Sequence, residues 1–452
     1  MLSEEGLVQR LSDLLGAEHV KVGEDTFAYA VDGMVPRAVA FPASVRDISS
    51  IMAFASAEGL KVVPRGSGTK MGLGGVPEDI HLVLSLSRLN GVVDHEPADM
   101  TATFQAGILL KEAQTILDRN RQFIPLDPPY GEAATIGGIL ATNSSGPKRL
   151  RYGASRDLVL AIRVVHADGK VTKGGAKVVK NVSGYDMNKL YIGSLGTLAI
   201  IVEATFRLYP VTAFEKSYLV PFASIDAAWA VVARILNSPV VPSAIELLNP
   251  EASRHIAEQA DLPWPKGCYG LVVAVGSVHR EAVNAQLGMV RRFCGEASMP
   301  EGQLLNSQVH ETFWRVSRDL KLADSPQAVL KASVPLTKVA EGVRLGEEVA
   351  AKQGLGLGVV SEAGSGIIRY YLTGEAASPG PFQQGVVETV KQLRAFAQEA
   401  KGSLVVLEAP REVKGRVDVW GPVGRALPLM QALKDQFDPE RILNPGRFVG
   451  GI

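Results

Sequence analysis

Between residues 38 and 63 the apolar positions change period twice. AVAF (38–41) is continuously apolar and Pro42-Ala43-Ser44 interrupts it. From Val45 to Glu58 the apolar residues Ile48, Ile51, Met52 and Ala55 recur at the spacing of one helical face. Ser44 offers a helix start and Gly59 a stop, after which Leu60-Lys61-Val62-Val63 resumes as a strand. The pattern predicts a small strand–helix–strand unit. LVLSL (82–86) and TATFQAG (101–107) read as further strands, and ILLKEAQTILDRN (108–120) as a helix. LVLAIRVVHADGKVTK (158–173) reads as strand, turn at Asp168-Gly169, strand; GTLAIIVEATFRLYP (196–210) reads as one long strand ended by its proline. From about residue 215 to 425 helical and β-like segments alternate, including YGLVVAVGSV and GSLVVLEAP, which predicts a separate α+β domain. The tail FDPERILNPGRFVGGI is too short for a domain and must dock onto something.

The first strand–helix–strand unit ends in PRGSGTKMGLGG (64–75), five of whose twelve residues are glycine. A glycine run leaving a strand lets backbone N–H groups close on an anion. Two familiar phosphate motifs fail on spacing. A P-loop needs Gly-Lys-Ser/Thr, whereas the order here is Gly68-Thr69-Lys70-Met71; a dinucleotide fingerprint beginning at Gly66 and Gly68 meets Met71 at its third glycine. A solvent-exposed glycine loop has the same composition, so this stretch alone decides nothing.

Composition removes several alternatives. A chain of 452 residues exceeds one hydrophobic core and suggests two or three domains, and its formal net charge of +0 gives no argument for binding polyanions. The two cysteines, Cys268 and Cys294, form no CxxC run and so supply no iron–sulfur or cysteine-rich zinc site; they read as ordinary thiols in a reducing compartment. The seven histidines show no HxH or HxxxH spacing, and no metal site is expected. The N-terminus MLSEEGLVQRLSDLLG reads as an acidic amphipathic surface helix, not a leader, and no apolar run approaches a membrane span, so a cytoplasmic location is expected, peripheral to a membrane only through partners.

Residues 124–157, IPLDPPYGEAATIGGILATNSSGPKRLRYGASRD, form a second glycine-, proline- and hydroxyl-rich stretch. Gly137-Gly138 permits close backbone approach, and Thr135, Thr142, Asn143, Ser144 and Ser145 supply neutral donors and acceptors, which suits a large polar cofactor better than a metal. With PRGSGTK (64–70), TIGGILATNSSG (135–146), RYGASRDLVLAIRVVHADG (151–169), GSLGTLAIIVEATFRL (193–208) and LNPGR (443–447) in order along the chain, the sequence resembles FAD-dependent oxidoreductases of the p-cresol methylhydroxylase/vanillyl-alcohol oxidase type. Within that family LDPPYGEAATIGG, GPKRLRYGASRDLVL, KVVKNVSGYDMNKLYIGSLGTL and FWRVS look most like the FAD-binding E-type subunits of glycolate oxidase.

The resemblance implies an α+β fold: a two-lobed FAD-binding domain over 1–212 (core about 34–212), an α+β cap or substrate domain over 213–425, and a segment 426–452 returning to the FAD domain. It implies FAD phosphates on Arg65, Gly66, Ser67, Gly68, Thr69 and Lys70. Second-loop contacts would come from Gly137, Gly138, Thr142, Ser145, Gly146, Tyr152 and Gly153. Gly196, Ile200 and Ile201 would lie near adenine, and Asn444 would return from the tail. Thr69 stands where many relatives link flavin to histidine, so FAD is expected to be non-covalent. The reaction implied is oxidation of a small 2-hydroxy acid (glycolate or lactate), with hydride transfer to flavin N5 and electrons passed to partners: a related D-type flavoprotein and an F-type iron–sulfur subunit.

Arg315 and Arg369 match arginines of the E-type pattern and are the candidates for the substrate carboxylate, with Arg318 an alternative to Arg315. Where D-type relatives carry an HxGDGNxH-like metal motif, this chain has SEAGSGIIRYY without a histidine. Glu362, Glu408, Tyr370 and Tyr371 are titratable there, but none stands out as a base. Three readings remain open: a catalytic dehydrogenase subunit, an FAD-holding relay or accessory subunit, and an oxidase using oxygen directly.

Overall fold

The computed structural model describes residues 3–177, 185–295, 301–305, 307–322, 327–375 and 378–452. The stretch 178–184 of the family-like segment KVVKNVSG lies outside the described residues. The chain divides into two compact units: Met1–Ser145 with Ala154–Val211 and Pro422–Ile452, and Gly146–Gly153 with Thr212–Gly421.

Among the described residues the first unit contains two main sheets and a two-stranded ribbon. In one, β1 (Val20–Val22), β2 (Ala38–Ala40), β3 (Val62–Arg65) and β4 (Leu82–Ser85) run in the order β1-β2-β4-β3, with β2, β4 and β3 parallel. Helix α1 (Glu4–Leu15) buries Leu7 and Leu11. Helix α2 (Val45–Glu58) connects β2 to β3 and buries Ile48, Ile51, Met52 and Ala55, the four positions its sequence period marks. Ser44 and Asp47 close a reciprocal capping box, and Gly59 ends the helix in the left-handed region (φ 65°), as its lack of a Cβ permits. The two strands that α2 joins are not neighbours, because β4 inserts between them. Alternate strand residues bury both faces: Ala38, Ala40, Val62, Leu82 and Leu84 pack toward the helices, while Val39, Val63 and Val83 form a second cluster.

The second sheet of this unit comprises β5 (Val92–Glu96), β6 (Thr101–Gln105), β8 (Val159–Val165), β9 (Val171–Gly175) and β10 (Ile200–Arg207), antiparallel in the order β5-β6-β10-β8-β9. A two-residue ribbon pairs β7 (Gln122–Phe123) with β11 (Tyr209–Pro210). The long strand expected over 196–210 begins only at Ile200, because Leu195 (φ 54°) and Gly196 (φ 69°) turn the chain first. Helix α3 (Leu110–Asp118) and the short helix α4 (Ile136–Thr142) complete the core.

The C-terminal segment is fastened to this unit along β3. The Val62 N–H donates to Ile442 O at 2.7 Å, and the Asn444 N–H donates to Val62 O at 2.9 Å. Upstream, the Lys434 ammonium donates to Asp438 (2.6 Å) and to the carbonyls of Thr197 (2.8 Å) and Leu443 (2.9 Å). Lys434 is 1% exposed and Asp438 0%, and Asp438 also accepts from the Ile442 and Leu443 N–H groups. Every donor of the ammonium is thus satisfied, which makes the desolvated pair tolerable.

Among the described residues the second unit holds an eight-stranded antiparallel sheet. Its strands are β12 (Phe214–Phe222), β13 (Ala244–Leu248), β14 (Tyr269–Ser277), β15 (Gln303–Leu305), β16 (Gln327–Ser333), β17 (Gly356–Glu362), β18 (Ile367–Thr373) and β19 (Ser403–Glu408), in the order β15-β12-β14-β13-β17-β18-β16-β19. One face (Val220, Ile245, Val273, Leu330, Ile368 and Tyr370 among others) packs beneath helices 225–236, 280–295, 339–352 and 379–399. The other carries Leu219, Ala244, Val272, Val329, Val360 and Tyr371 against helices 250–259 and 307–318. Because strand side chains alternate, Glu246, Lys331, Glu362 and Arg369 share this second face.

Removing one partner of the Lys434–Asp438 pair strands the other charge in the core. Asp438→Ala is expected to cost about 3–5 kcal/mol, read as a lowered thermal or urea midpoint. An exposed pair such as Arg441–Asp435 is expected to move it by less than about 1 kcal/mol when Asp435 is replaced.

Candidate functional site

The cradle begins where β3 runs out. Gly66 has no room for a side chain, since a Cβ there would lie 2.0 Å from Thr135 Oγ1. Gly68 sits at φ 91°, where a Cβ would also meet the Arg65 guanidinium at 2.5 Å. Between them the loop turns so tightly that the backbone N–H groups of Ser67, Gly68 and Thr69 donate to no group among the described residues. Consecutive unsatisfied amides of this kind form an anion-binding nest.

The wall opposite is α4. Thr135 caps it, accepting from the Gly138 N–H at 3.3 Å, while the Ile136 and Gly137 N–H groups donate to Ile108 O (3.0 Å) and Ala106 O (2.7 Å). The first amides of α4 are therefore already used, and the free donors belong to the Gly66 loop. Gly137 serves packing, because a Cβ there would come within 2.8 Å of the Ala106 Cβ. Gly138, Ala141 and Thr142, spaced on one helical face, line the pocket together with Gly66, Ser67, Gly68, Thr69 and Lys70. The Thr142 hydroxyl donates back to Gly138 O at 2.8 Å. Asn143 ends α4 in the left-handed region (φ 47°), with its Oδ1 buried and without a hydrogen-bond partner among the described residues.

The floor comes from the tail. Asn444 Nδ2 donates to Leu195 O at 2.6 Å, and Arg447 donates to the carbonyls of Met71 and Leu73 and, at 3.4 Å, to Asn444 Oδ1. The Gly75 N–H returns a bond to Arg447 O at 2.9 Å. Burial draws the Arg447 guanidinium down to about 10, against the opposing influence of Asp32. Arg447 and Leu195 line the pocket but are absent from the individual residues expected there; the quoted motifs LNPGR and GSLGTLAIIVEATFRL held them, without singling either out.

The other nominated residues lie as follows. Arg65 does not line this pocket; its guanidinium donates to Ala28 O at 2.9 Å and covers the Tyr29 ring at 4.5 Å, and burial lowers its pKa. Lys70 lines the pocket and donates to Pro129 O at 3.0 Å. The Ser67 side chain is exposed. Ile200 and Ile201 are core residues of β10, and Gly196 forms the turn before it, near Pro64. Ser145 is buried at the end of its segment of the first unit. Gly146, Tyr152 and Gly153 belong to the second unit, where Arg151 covers the Tyr152 ring and donates to Gly276 O at 2.6 Å.

In the second unit Arg315 is exposed on helix Ser307–Arg318, whereas Arg369 is buried and ion-paired with the buried Glu362. Burial works against the Arg369 charge, but Glu362, Tyr371 and Glu246 outweigh it and raise its pKa. Glu246 accepts from the Ser317 hydroxyl at 2.6 Å, and Arg318 keeps a buried Nε without a partner among the described residues. Tyr370 points to the opposite face and donates to Gly342 O at 2.9 Å, a packing role. Burial raises the Glu408 carboxyl, with Lys414 and Lys321 opposing. Among the described residues no three His, Cys, Asp or Glu side chains converge as a metal site, and no helix is long and apolar enough to cross a membrane.

Comparison with known proteins fits this geometry. The FAD binding domain model matches residues 36–175, and the C-terminal domain model of FAD linked oxidases matches 212–405 and 420–448. The chain belongs to the FAD-linked oxidoreductases built from these two domains, and FAD is its cofactor. It is 29% identical over 420 residues to glycolate oxidase subunit GlcD of Bacillus subtilis, covering 91% of this chain and 89% of that protein. D-lactate dehydrogenase of Archaeoglobus fulgidus (29% over 418 residues, 90% of each) and D-2-hydroxyglutarate dehydrogenase of Xanthomonas citri (29% over 421 residues, 91% and 89%) are similarly related. Substrate-bound p-cresol methylhydroxylase shares the fold at a TM-score of 0.77 and 16% identity, over 97% of this chain and 95% of that one. The α+β architecture is thus of the p-cresol methylhydroxylase type.

The cradle fits FAD: three free amides suit a pyrophosphate, and the neutral walls suit the rest of a dinucleotide. Gly68→Ala is expected to weaken FAD binding by about tenfold or more, since it strains φ and pushes the loop off Arg65. Ser67→Ala is expected to leave affinity within about twofold, because only its amide is used. Titration of the flavin-stripped protein with FAD, followed by flavin fluorescence, checks both.

Proposed function

We propose that this chain is a dehydrogenase subunit that oxidises a small 2-hydroxy acid, glycolate or lactate, to the 2-oxo acid and passes the electrons to a partner. One observation carries the reading: relatives aligned over about nine-tenths of both chains are named for glycolate, D-lactate and D-2-hydroxyglutarate, which are all 2-hydroxy acids. FAD, when bound, supplies the two-electron hydride acceptor. The chain supplies the amides of Ser67, Gly68 and Thr69 for the cofactor's phosphates. With Thr69 in the cradle and no nucleophilic ring there, attachment is non-covalent. Gly146, Tyr152 and Gly153 extend the cofactor contacts, and Gly196, Ile200 and Ile201 lie toward adenine. Cationic side chains of the second unit take the substrate carboxylate; Arg369 is the buried candidate and Arg315 the exposed one. A relative named as a subunit supports an assembly, in which a D-type flavoprotein and an F-type iron–sulfur chain carry electrons onward in the cytoplasm.

A second reading, an FAD-holding relay beside a catalytic flavoprotein, is favoured by the closed Arg369–Glu362 pair and by the lack of converging metal ligands among the described residues. Anaerobic addition of glycolate, D-lactate and L-lactate to the purified flavoprotein separates the two. The dehydrogenase reading expects one of them to bleach the oxidised flavin band. A spectrum untouched by all three, but bleached once the partner flavoprotein and substrate are added, makes the chain a relay.

A further inference from the structure

The second face of the eight-stranded sheet holds charges that the packing does not explain. Glu246 on β13 and Glu362 on β17 are direct cross-strand partners, each 1% exposed. Lys331 on β16 is the direct partner of Arg369 on β18. Glu246 is held by Ser317, and one Glu362 oxygen is held by Arg369. The other, Glu362 Oε2, is buried and accepts from nothing among the described residues. A buried carboxylate oxygen without a donor is costly, so its survival points to a donor that arrives from outside. Lys331 is half-buried, and its ammonium makes no hydrogen bond and no close ion pair among the described residues, although Glu362 lies near enough to act on its charge. One neighbour thus lacks a donor for one oxygen and the other a hydrogen-bonded anion.

We propose that Lys331 and Glu362 are the two recognition points for the hydroxy acid, the Lys331 ammonium taking its carboxylate and Glu362 Oε2 accepting its hydroxyl hydrogen. The assignment rests on the 2-hydroxy-acid reading above and says which groups of the second unit read that substrate. β16 and β17 flank β18, so the two side chains approach from either side of Arg369 across a backbone gap on the order of 10 Å. A lysine stem and a glutamate stem narrow that gap to the size of a molecule with carboxylate and hydroxyl on adjacent carbons. Arg369, ion-paired with Glu362, holds that carboxylate in place beside Lys331.

The surroundings of Lys331 set a pH signature. Burial, Arg369 and Arg149 of segment 146–153 draw its pKa down to about 8, Glu362 on β17 opposes them, and β19 presents only Val405 in register. The protonated lysine binds the anion, so affinity is full below about 8 and falls as pH rises through it.

The test is calorimetric titration of the FAD-loaded chain, reduced and kept anaerobic so that the hydroxy acid binds without turnover, with D-lactate, glycolate and propionate. The wild type is expected to bind D-lactate about tenfold or more tighter than propionate, which lacks the hydroxyl. Glu362→Gln is expected to collapse that preference to within about threefold while propionate binding survives. Lys331→Met is expected to weaken all three by about tenfold or more, and Lys331→Arg to recover most of the loss and abolish the fall in affinity above pH 8. Flavin content and melting temperature report folding, and if Glu362→Gln does not fold the lysine series alone decides. Wild-type binding that Lys331→Met leaves unchanged, or a lactate-to-propionate ratio that Glu362→Gln leaves unchanged, overturns this assignment alone. A wild type that binds none of the three overturns the 2-hydroxy-acid reading together with it.

Discussion

A parallel strand that stops at Arg65 and enters Gly66-Ser67-Gly68 leaves three successive backbone N–H groups with nothing among the described residues to bond. That deficit organises the first unit. Unsatisfied amides beside a pocket are stable only if water or an anion meets them, and the surrounding elements hold them in place instead of satisfying them. Thr135 blocks any side chain at residue 66, Arg65 folds beneath residue 68, and Arg447 reaches from the far end of the chain to grip the carbonyls of Met71 and Leu73. The carbonyls of Gly68, Lys70, Met71 and Leu73 are tied down, while the amides of Ser67, Gly68 and Thr69 are left open.

This explains why a short tail carries so much buried polar chemistry. Lys434, Asp438, Asn444 and Arg447 are each at most 3% exposed, unusual for such residues unless paired. Together they lock 438–447 along β3, so the cradle has a floor only when the last residues of the chain are docked. The second unit solves a different problem. Its sheet hides one face under four helices and spends part of the other on charges whose mutual pairing is incomplete. Polar groups held short of satisfaction in a sheet of otherwise ordinary packing are what a ligand site requires, just as the open amides are in the first unit.

The local elements were legible because they depend on local periodicity. Helix α2 lies where Ser44, Gly59 and four apolar positions place it, and the glycine loop leaves the strand from which it was expected to leave. Strand adjacency was not legible: nothing in 38–63 signals that β4 inserts between β2 and β3, because pairing is decided by distant segments competing for one edge. The strand expected from Gly196 starts late because two positive-φ residues precede it, and leucine at such a position gives no warning. Within the candidate sites, Gly66, Gly68 and Asn444 were visible as motif residues. Lys331 was not, since a lysine alternating with Val329 and Ser333 looks like any solvated strand position until β18 brings Arg369 beside it. The ion pair between Arg369 and Glu362 is likewise a relation that spacing along the chain cannot show.

Amide hydrogen exchange across residues 64–75, with and without FAD, probes the open amides most directly. Without the cofactor, Ser67, Gly68 and Thr69 should exchange rapidly inside an otherwise protected β3 region; with FAD bound, those three should become the most strongly slowed amides of the loop. Slow exchange there before FAD is added, or protection by FAD that appears elsewhere and spares these three, would contradict the account of the cradle.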